Sequence, residues 1–267
     1  MIYQCYFAEA HRSRLFQLPL YSGFGLEPEV NPDIAKNCPE LEDPSSRALL
    51  CEYAAMLHLW RNSFLADPHG WVGFTSYRQL DKVQTIFTDE QIIIEGLTSY
   101  DILGWGFLEF FDGPSQQPVS VAWQGEVCHP GLSEMLNRIL SLTNENIPRQ
   151  YLNDNVGLFC NYWIMSKANF EEYMNWSYPL VQWALQHNPY YTSDRRAVSY
   201  IAERLFIIWY MLKHKSLCNV GQVVRVEKWL RMPTPLEDGA ILWVEAARGS
   251  APRQVPRLGE VFVNGPD

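Results

Sequence analysis

The chain holds 267 residues, 47% of them apolar and 19% charged, which is enough to bury a sizeable core in one or two domains and excludes disorder over most of its length. Thirty acidic against twenty-one basic residues leave a net charge of -9, which works against broad electrostatic binding to nucleic acid or anionic lipid. No apolar run approaches the roughly 18–20 residues of a membrane-spanning helix; the best, Leu205 to Leu212, is followed by Lys213 and Lys215.

Met1 to Phe7 has neither a basic leader nor a small-residue cleavage site, so Ile2 to Phe7 is expected to be a first strand and not part of an export signal. The segment up to Pro44 is crowded with Pro, Gly and Asn and lacks helical periodicity, which predicts a turn and a long ordered loop. Asp43-Pro44-Ser45-Ser46 is a helix-start signal, and Leu49, Tyr53, Met56 and Trp60 form one stripe, predicting a helix over 46–62. Trp71 to Ser76 reads as a strand after the turn Asp67-Pro68-His69-Gly70. Tyr77-Arg78 falls at its end, where open α/β sheets bind ligands.

A helix around 89–95 leads to a strand and turn from Tyr100 to Gly106. Beyond the Gly-, Pro- and Gln-rich connection at 112–118, Val119 to Trp123 reads as a strand or part of a lid, and Pro130 to Leu142 as a helix. Phe159 to Ser166 reads as a buried strand, and Ala168 to His187 as a helix that Pro179 kinks or restarts. Asp194 to Leu212 carries the strongest helical pattern. Past residue 216 come short strands, Gln222 to Val226 and Ala240 to Val244, then an extended tail with Pro252, Pro256 and Pro266.

Strands alternating with helices predict an α/β layer architecture. No linker divides the chain, so a single domain over 1–215 with a C-terminal extension over 216–267 is expected. Six cysteines lie scattered without a C-x-x-C, as suits reduced thiols in a cytoplasm. Aromatic residues make up 14% of the chain, which a Trp-rich core explains as well as sugar- or base-binding faces do.

P-loop, dinucleotide-binding, zincin and nucleophile-elbow motifs are all absent from the sequence. The six histidines never fall at metal-ligand spacing. On the helix from Asp194, Val198, Ile201, Leu205, Ile208 and Leu212 form a core stripe, and Phe206, Ile207 and Tyr210 make the other side apolar, so the helix is buried. Glu203 on it must be paired or face a cleft. Two readings stand for it: an ion pair with Arg195, Arg196 or Arg78, or a site carboxylate. Arg78 suits a bidentate phosphate contact or a plain surface position. Asp101 is a candidate metal or sugar ligand, and Glu52 reads as an ordinary helix-boundary residue.

Four segments carry a resemblance: Glu52-Tyr53 through Trp60-Arg61-Asn62; Trp71-Val72-Gly73-Phe74-Thr75-Ser76-Tyr77-Arg78; Asn161-Tyr162-Trp163-Ile164-Met165 with Phe170-Glu171-Glu172-Tyr173; and Ala202-Glu203-Arg204-Leu205-Phe206 with Trp209. Together they resemble the bacterial capsular-polysaccharide and O-antigen glycosyltransferases, over most of residues 50–215. Ser76 stands where that family has His before Tyr-Arg, Gln79 replaces its second Arg, and Asn161-Tyr162-Trp163 reshuffles its Tyr-Asn-Met segment, as in a divergent branch.

The resemblance implies a GT-A-like α/β domain with a mixed, mainly parallel central sheet flanked by helices. It also implies transfer of a sugar from a nucleotide-sugar donor to a hydroxyl of a growing glycan or lipid-linked glycan. Its candidates are Glu203 and Asp101 for catalysis; Tyr77, Arg78, Arg204 and Arg195 for the donor; and Tyr162, Trp163 and Trp105 for the acceptor or sugar. Many such enzymes hold Mn²⁺ or Mg²⁺ with Asp-x-Asp, which this sequence lacks. Either Asp101 binds a divalent metal with one other group, or Arg78 or Arg204 neutralises the diphosphate without one. A nucleotide- or carbohydrate-binding module without catalysis, and a structural partner in polysaccharide assembly, are the alternatives.

Overall fold

The structure, a computed structural model, describes residues 1–12, 14–62, 68–82, 85–112, 129–143, 145, 156–158, 160–191, 196–220 and 224–228. Six strands make the main sheet: β1 (Ile2–Tyr6), β2 (Tyr21–Gly25), β3 (Trp71–Ser76), β4 (Ile102–Gly104), β7 (Trp163–Ser166) and β8 (Leu217–Asn219). Their order is β2-β1-β3-β7-β4-β8, with every pair parallel except the two that involve β7. This is the expected α/β fold with a mixed, mainly parallel sheet. A second sheet of three strands runs β6 (Val156–Leu158), β5 (Phe107–Asp112), β9 (Val224–Lys228).

Both faces of the main sheet are covered, which is why its strands read as nearly unbroken apolar runs. Alternation along β7 sends Trp163 and Met165 to one face and Ile164 to the other. On the first face pack α2 (Glu52–Asn62), α6 (Lys167–Tyr191) and α7 (Ala197–Leu212). Trp163 stacks there on Phe206 with ring centres 5.0 Å apart and planes 9° apart. The other face meets Leu15, Leu20 and Tyr21 from the N-terminal segment and Ile93 of α4 (Glu90–Ser99).

The segment read as a long loop contains β2, which pairs in parallel with β1 from Ile2↔Tyr21 to Tyr6↔Gly25. Glycine hides it from the sequence: a Cβ at Gly23 would meet the Phe16 ring at 2.6 Å, and one at Gly25 would meet Val30 at 2.7 Å. Close approach thus takes the place of the β-branched residues that announce a strand. The helix expected over 46–62 is two helices, α1 (Pro44–Leu50) and α2. Asp43 caps α1 by accepting from the N–H groups of Ser45 and Ser46, and Cys51 breaks the run at φ 48°, ψ −126°.

Three other expectations change. Pro179 lies within the single helix α6 and does not restart it. Its missing N–H costs one bond, while Phe170, Tyr173, Met174, Val181 and Ala184 bury the helix on either side. The strand expected from Phe159 begins at Trp163, because Cys160 and Asn161 both take positive φ, 70° and 54°. The boundary expected at residue 216 runs through paired structure, since β8 joins β4 and β9 joins β5. Val119 to Trp123, Ala240 to Val244 and the proline-bearing tail lie outside the described residues.

Between the sheets' strands, α3 (Gln79–Lys82) follows β3 and α5 (Leu132–Leu140) packs Leu132, Met135, Leu136 and Ile139 into the core. Trp163 is 0% exposed and sits at the centre of the larger aromatic cluster. Trp163→Ala is expected to cost about 3–5 kcal/mol in urea unfolding. The same truncation at Leu142, 43% exposed, is expected to change stability by no more than about 0.5 kcal/mol.

Candidate functional site

The parallel strands β1, β3 and β4 all deliver their carboxyl ends to the same edge of the sheet, where the antiparallel β7 begins. In open α/β sheets this edge is where ligands bind. Beyond β3 come Tyr77 and Arg78, both half-buried. The Tyr77 N–H donates to the Cys5 carbonyl at 2.9 Å. His11 stacks on the Tyr77 ring at 4.3 Å and Phe7 meets it edge-on at 6.3 Å. This aromatic shelf immediately precedes Arg78 in the chain, and His11 was not foreseen in it from the sequence.

Next to it, the Ser76 and Tyr162 hydroxyls share a hydrogen bond of 2.6 Å. Gln4 Nε2 donates to the Ser76 carbonyl at 3.0 Å. Tyr162 follows the two left-handed residues Cys160 and Asn161, and Gly106 at φ 89° opposes it; a Cβ on Gly106 would lie 2.7 Å from the Tyr162 ring. Positive-φ residues gathered at one sheet edge are backbone strain of the kind functional sites hold. Burial pushes the Tyr162 phenol well above its usual range, with Glu52 and Glu203 adding their negative charge and the Ser76 bond opposing.

Two helices bring those carboxylates in. Glu203 is half-buried on α7, and Glu52, also half-buried, is the first residue of α2. Arg196 caps α7, its guanidinium 5.4 Å from the Tyr200 ring centre, while His129 stacks on the same ring at 3.6 Å. Burial opposes the Arg196 charge, but Tyr200, Cys51, Glu52 and Glu203 outweigh it and hold the guanidinium above its ordinary value. The edge therefore combines a cation, two carboxylates, a hydroxyl pair and an aromatic shelf. Glu52 and Arg196 were the residues that sequence reasoning passed over as site members. Nothing in the apolar spacing marks Glu52, because Leu49, Tyr53, Met56 and Trp60 keep helical spacing across the break at Cys51.

Several sequence candidates lie elsewhere. Trp105 and Trp163 are each 0% exposed, so they pack the core and offer no open face to a sugar; Tyr162, equally buried, takes part at the edge only through its hydroxyl. Arg204 is 3% exposed and its Nη1 donates to the Tyr200 carbonyl of its own helix at 3.0 Å, with burial pulling its guanidinium below the ordinary value. It is a core arginine and not a diphosphate ligand. Arg195 lies outside the described residues.

Asp101 stands at the opposite edge of the sheet, before β4 and next to Ser216. Its Oδ2 accepts from the Ser216 N–H and hydroxyl, both at 2.8 Å, and Asn169 Nδ2 lies 3.5 Å from Oδ1. A cavity of about 300 Å³ opens there, lined by Thr98, Tyr100, Ser166 and Asn169 among others. Its polar groups bond one another, and it is remote from Arg78 and Glu203. Ser216 occupies Oδ2 of Asp101, and Oδ1 has only the long Asn169 contact. Among the described residues no three His, Cys, Asp or Glu side chains gather to hold a metal. No helix among them is long and apolar enough to cross a membrane.

Fold and edge together define an α/β protein with polar, charged and aromatic residues beyond the carboxyl ends of its strands. The chain belongs to the family described as a domain of unknown function, DUF4422, whose model matches residues 44–215. Among solved structures, the apo form of WbbM, a bifunctional glycosyltransferase, is similar at 14% identity and a TM-score of 0.46, over 86% of this chain and 47% of that one. The chain thus spans about half the length of that protein. No curated protein matches it.

Burial tends to raise the Asp101 carboxyl, but the Ser216 and Asn169 bonds and the Lys215 charge prevail and hold it below the usual carboxylate range. A lowered folded-state value means stability that is fully present above the unfolded value, about 3.9, and lost as pH falls through the folded one. Asp101→Asn is expected to cost about 1–3 kcal/mol at pH 7 and to flatten that acid-side loss in thermal melts from pH 7 to 2.

Proposed function

We propose that this chain is a glycosyltransferase of GT-A-like fold that moves a sugar from a nucleotide-sugar donor to a hydroxyl of a growing glycan. The acceptor class is a capsule, O-antigen or exopolysaccharide chain, free or lipid-linked. The observation that carries the reading is the buried Ser76–Tyr162 hydroxyl pair, beside Tyr77 and Arg78 at the carboxyl edge of the sheet, whose phenol feels the negative charge of Glu52 and Glu203. The four segments that resemble polysaccharide glycosyltransferases supply Glu52, Ser76, Tyr77, Arg78, Tyr162 and Glu203. Thiols at Cys5, Cys38, Cys51 and Cys218 suit a reducing cytoplasm.

The chemistry asks for two things of the chain. The leaving nucleoside diphosphate carries negative charge, and Arg78 is the cation at the edge whose planar fork suits phosphate oxygens. The acceptor hydroxyl must lie in line with the anomeric carbon and lose its proton as it attacks. Glu203 takes that proton as the new C–O bond forms, and the bond from carbon to the diphosphate oxygen breaks with its electron pair leaving on the nucleotide. Glu203 is half-buried on α7. The Tyr77–His11 shelf offers its aromatic surface to the nucleotide.

A thermal-shift panel of UDP, GDP, CMP and dTDP, each with and without Mn²⁺, tests the donor site. A nucleotide at a hundredfold its Kd adds about 2.7 kcal/mol to the folded state, and Arg78→Ala is expected to abolish that shift, measured against the variant's own unliganded melting temperature. Glu203→Gln is expected to keep the shift and to lower sugar transfer by about 10²–10⁴-fold. If none of the nucleotides raises the melting temperature under either metal condition, the reading is wrong.

A further inference from the structure

The cavity of about 300 Å³ at the amino edge of the sheet is walled by Tyr100, Asp101, Ser166, Asn169 and Ser216, and Thr98, which also lines it, is exposed. Its hydrogen bonds fix two groups in place and leave both with bonding capacity to spare. Lys215 Nζ donates to Asn169 Oδ1 at 3.0 Å, and because an ammonium only donates, the amide must turn its Nδ2 the other way, toward Asp101. There Nδ2 donates to the Asp101 carbonyl at 3.3 Å and comes no nearer to Oδ1 than 3.5 Å. The Ser216 N–H and hydroxyl, both at 2.8 Å, hold Oδ2 and with it the plane of the carboxylate. An acceptor, Asp101 Oδ1, and a donor, Asn169 Nδ2, thus stand side by side on half-buried residues, too far apart to satisfy each other well.

We propose that this cavity is a second binding site, for a neutral pyranose held through two adjacent hydroxyls. One sugar hydroxyl donates to Asp101 Oδ1 while its neighbour accepts from Asn169 Nδ2, so the pair reads a donor and an acceptor at once. Tyr100, half-buried in the wall, brings an aromatic residue to the C–H face of the ring. Charge selects against other ligands. Asp101, held ionised by its Ser216 and Asn169 bonds, repels a phosphate or a carboxylate. A metal ion finds a single carboxylate among the lining residues, with one of its oxygens committed to Ser216 and an amide N–H beside the other. A neutral polyhydroxyl ligand meets neither obstacle, and a donor and acceptor already fixed by Lys215 and Ser216 cost little to order. The six residues of β3 separate this edge from Arg78 by about 20 Å. A ring bound here is therefore not the one undergoing transfer, and the site stands independently of the transferase reading.

The test is saturation-transfer NMR on the full chain with glucose, galactose, mannose, maltose, lactose and glucuronate, each variant being compared where it is folded. At least one neutral sugar is expected to bind with a Kd of about 1–10 mM, and glucuronate more weakly than glucose. Asp101→Asn is expected to weaken binding about tenfold or more, because the Ser216 N–H requires an oxygen and so turns the new amide's NH₂ to the cavity, where the acceptor stood. Thr98→Trp, at an exposed position that takes no part in the Asp101 bonds, fills the cavity from outside and is expected to abolish binding. Arg78→Ala, at the opposite edge, is expected to bind as the wild type does. Binding of the free hexoses defines a site for a single ring, and binding of maltose or lactose alone defines a site for a ring within a chain; either supports the proposal. Silence from every neutral sugar overturns it, as does a preference for glucuronate or binding undiminished in Asp101→Asn. Should Asp101→Asn fail to fold, undiminished binding in Thr98→Trp overturns it instead. The nucleotide panel reads the other edge, so either result can fail while the other holds.

Discussion

Everything at the candidate site depends on one short strand that runs the wrong way. β7 is antiparallel to both its neighbours, so its amino end meets the carboxyl ends of β3 and β4. Phe74↔Trp163 and Gly104↔Trp163 fix that register, and a slip of one residue would exchange the two faces of the strand. Trp163 and Met165 would then leave the aromatic cluster, and Tyr162 would no longer reach Ser76. Gly73 permits the close fit, since a Cβ there would stand 2.6 Å from Ile164. The core residue Trp163 thus sets the position of the polar residue beside it.

The site itself is built where packed apolar structure stops. Tyr162 and Ser76 are buried, yet both end in hydroxyls that satisfy each other, as buried polar groups must. Glu52, Glu203 and Arg196 sit one layer further out, half-buried, where charge is neither fully screened by water nor prohibitively expensive. The opposite edge of the sheet shows the contrast: Asp101, Ser216, Asn169 and Lys215 bond one another and hold loops together. The same residue types fasten structure at one edge and sit half-buried near the other.

The sequence was legible wherever burial wrote a period. The strand at Trp71, the helices at Asp89, Pro130 and Ala168, and the buried helix bearing Glu203 follow from apolar spacing and capping residues. The break at Cys51 left no trace, because backbone strain does not alter which residues are apolar. β2 was hidden by glycines that make room for Phe16 and Val30. Function was harder to read, since a motif names residues without saying which way they face. Glu203-Arg204 looked like one polar pair, but adjacent residues on a helix point about 100° apart, and Glu203 is half-buried where Arg204 is buried. Trp105, Tyr162 and Trp163 resembled sugar-stacking residues because aromatic composition alone does not distinguish a core from a shelf.

The main sheet is assembled from both ends of the described chain. β1 and β2 precede the stretch that defines the family, residues 44–215, and β8 follows it. β1 must wait for β3, with Ile2 pairing Gly73, and the outer edge of β4 is filled only when Leu217–Asn219 arrives. On a ribosome, then, the sheet cannot close as its strands emerge. Until the last of them leaves the exit tunnel, β4 presents unpaired backbone groups that other nascent chains can pair with. The late strand β8 is consequently a shield during synthesis as well as a part of the finished sheet.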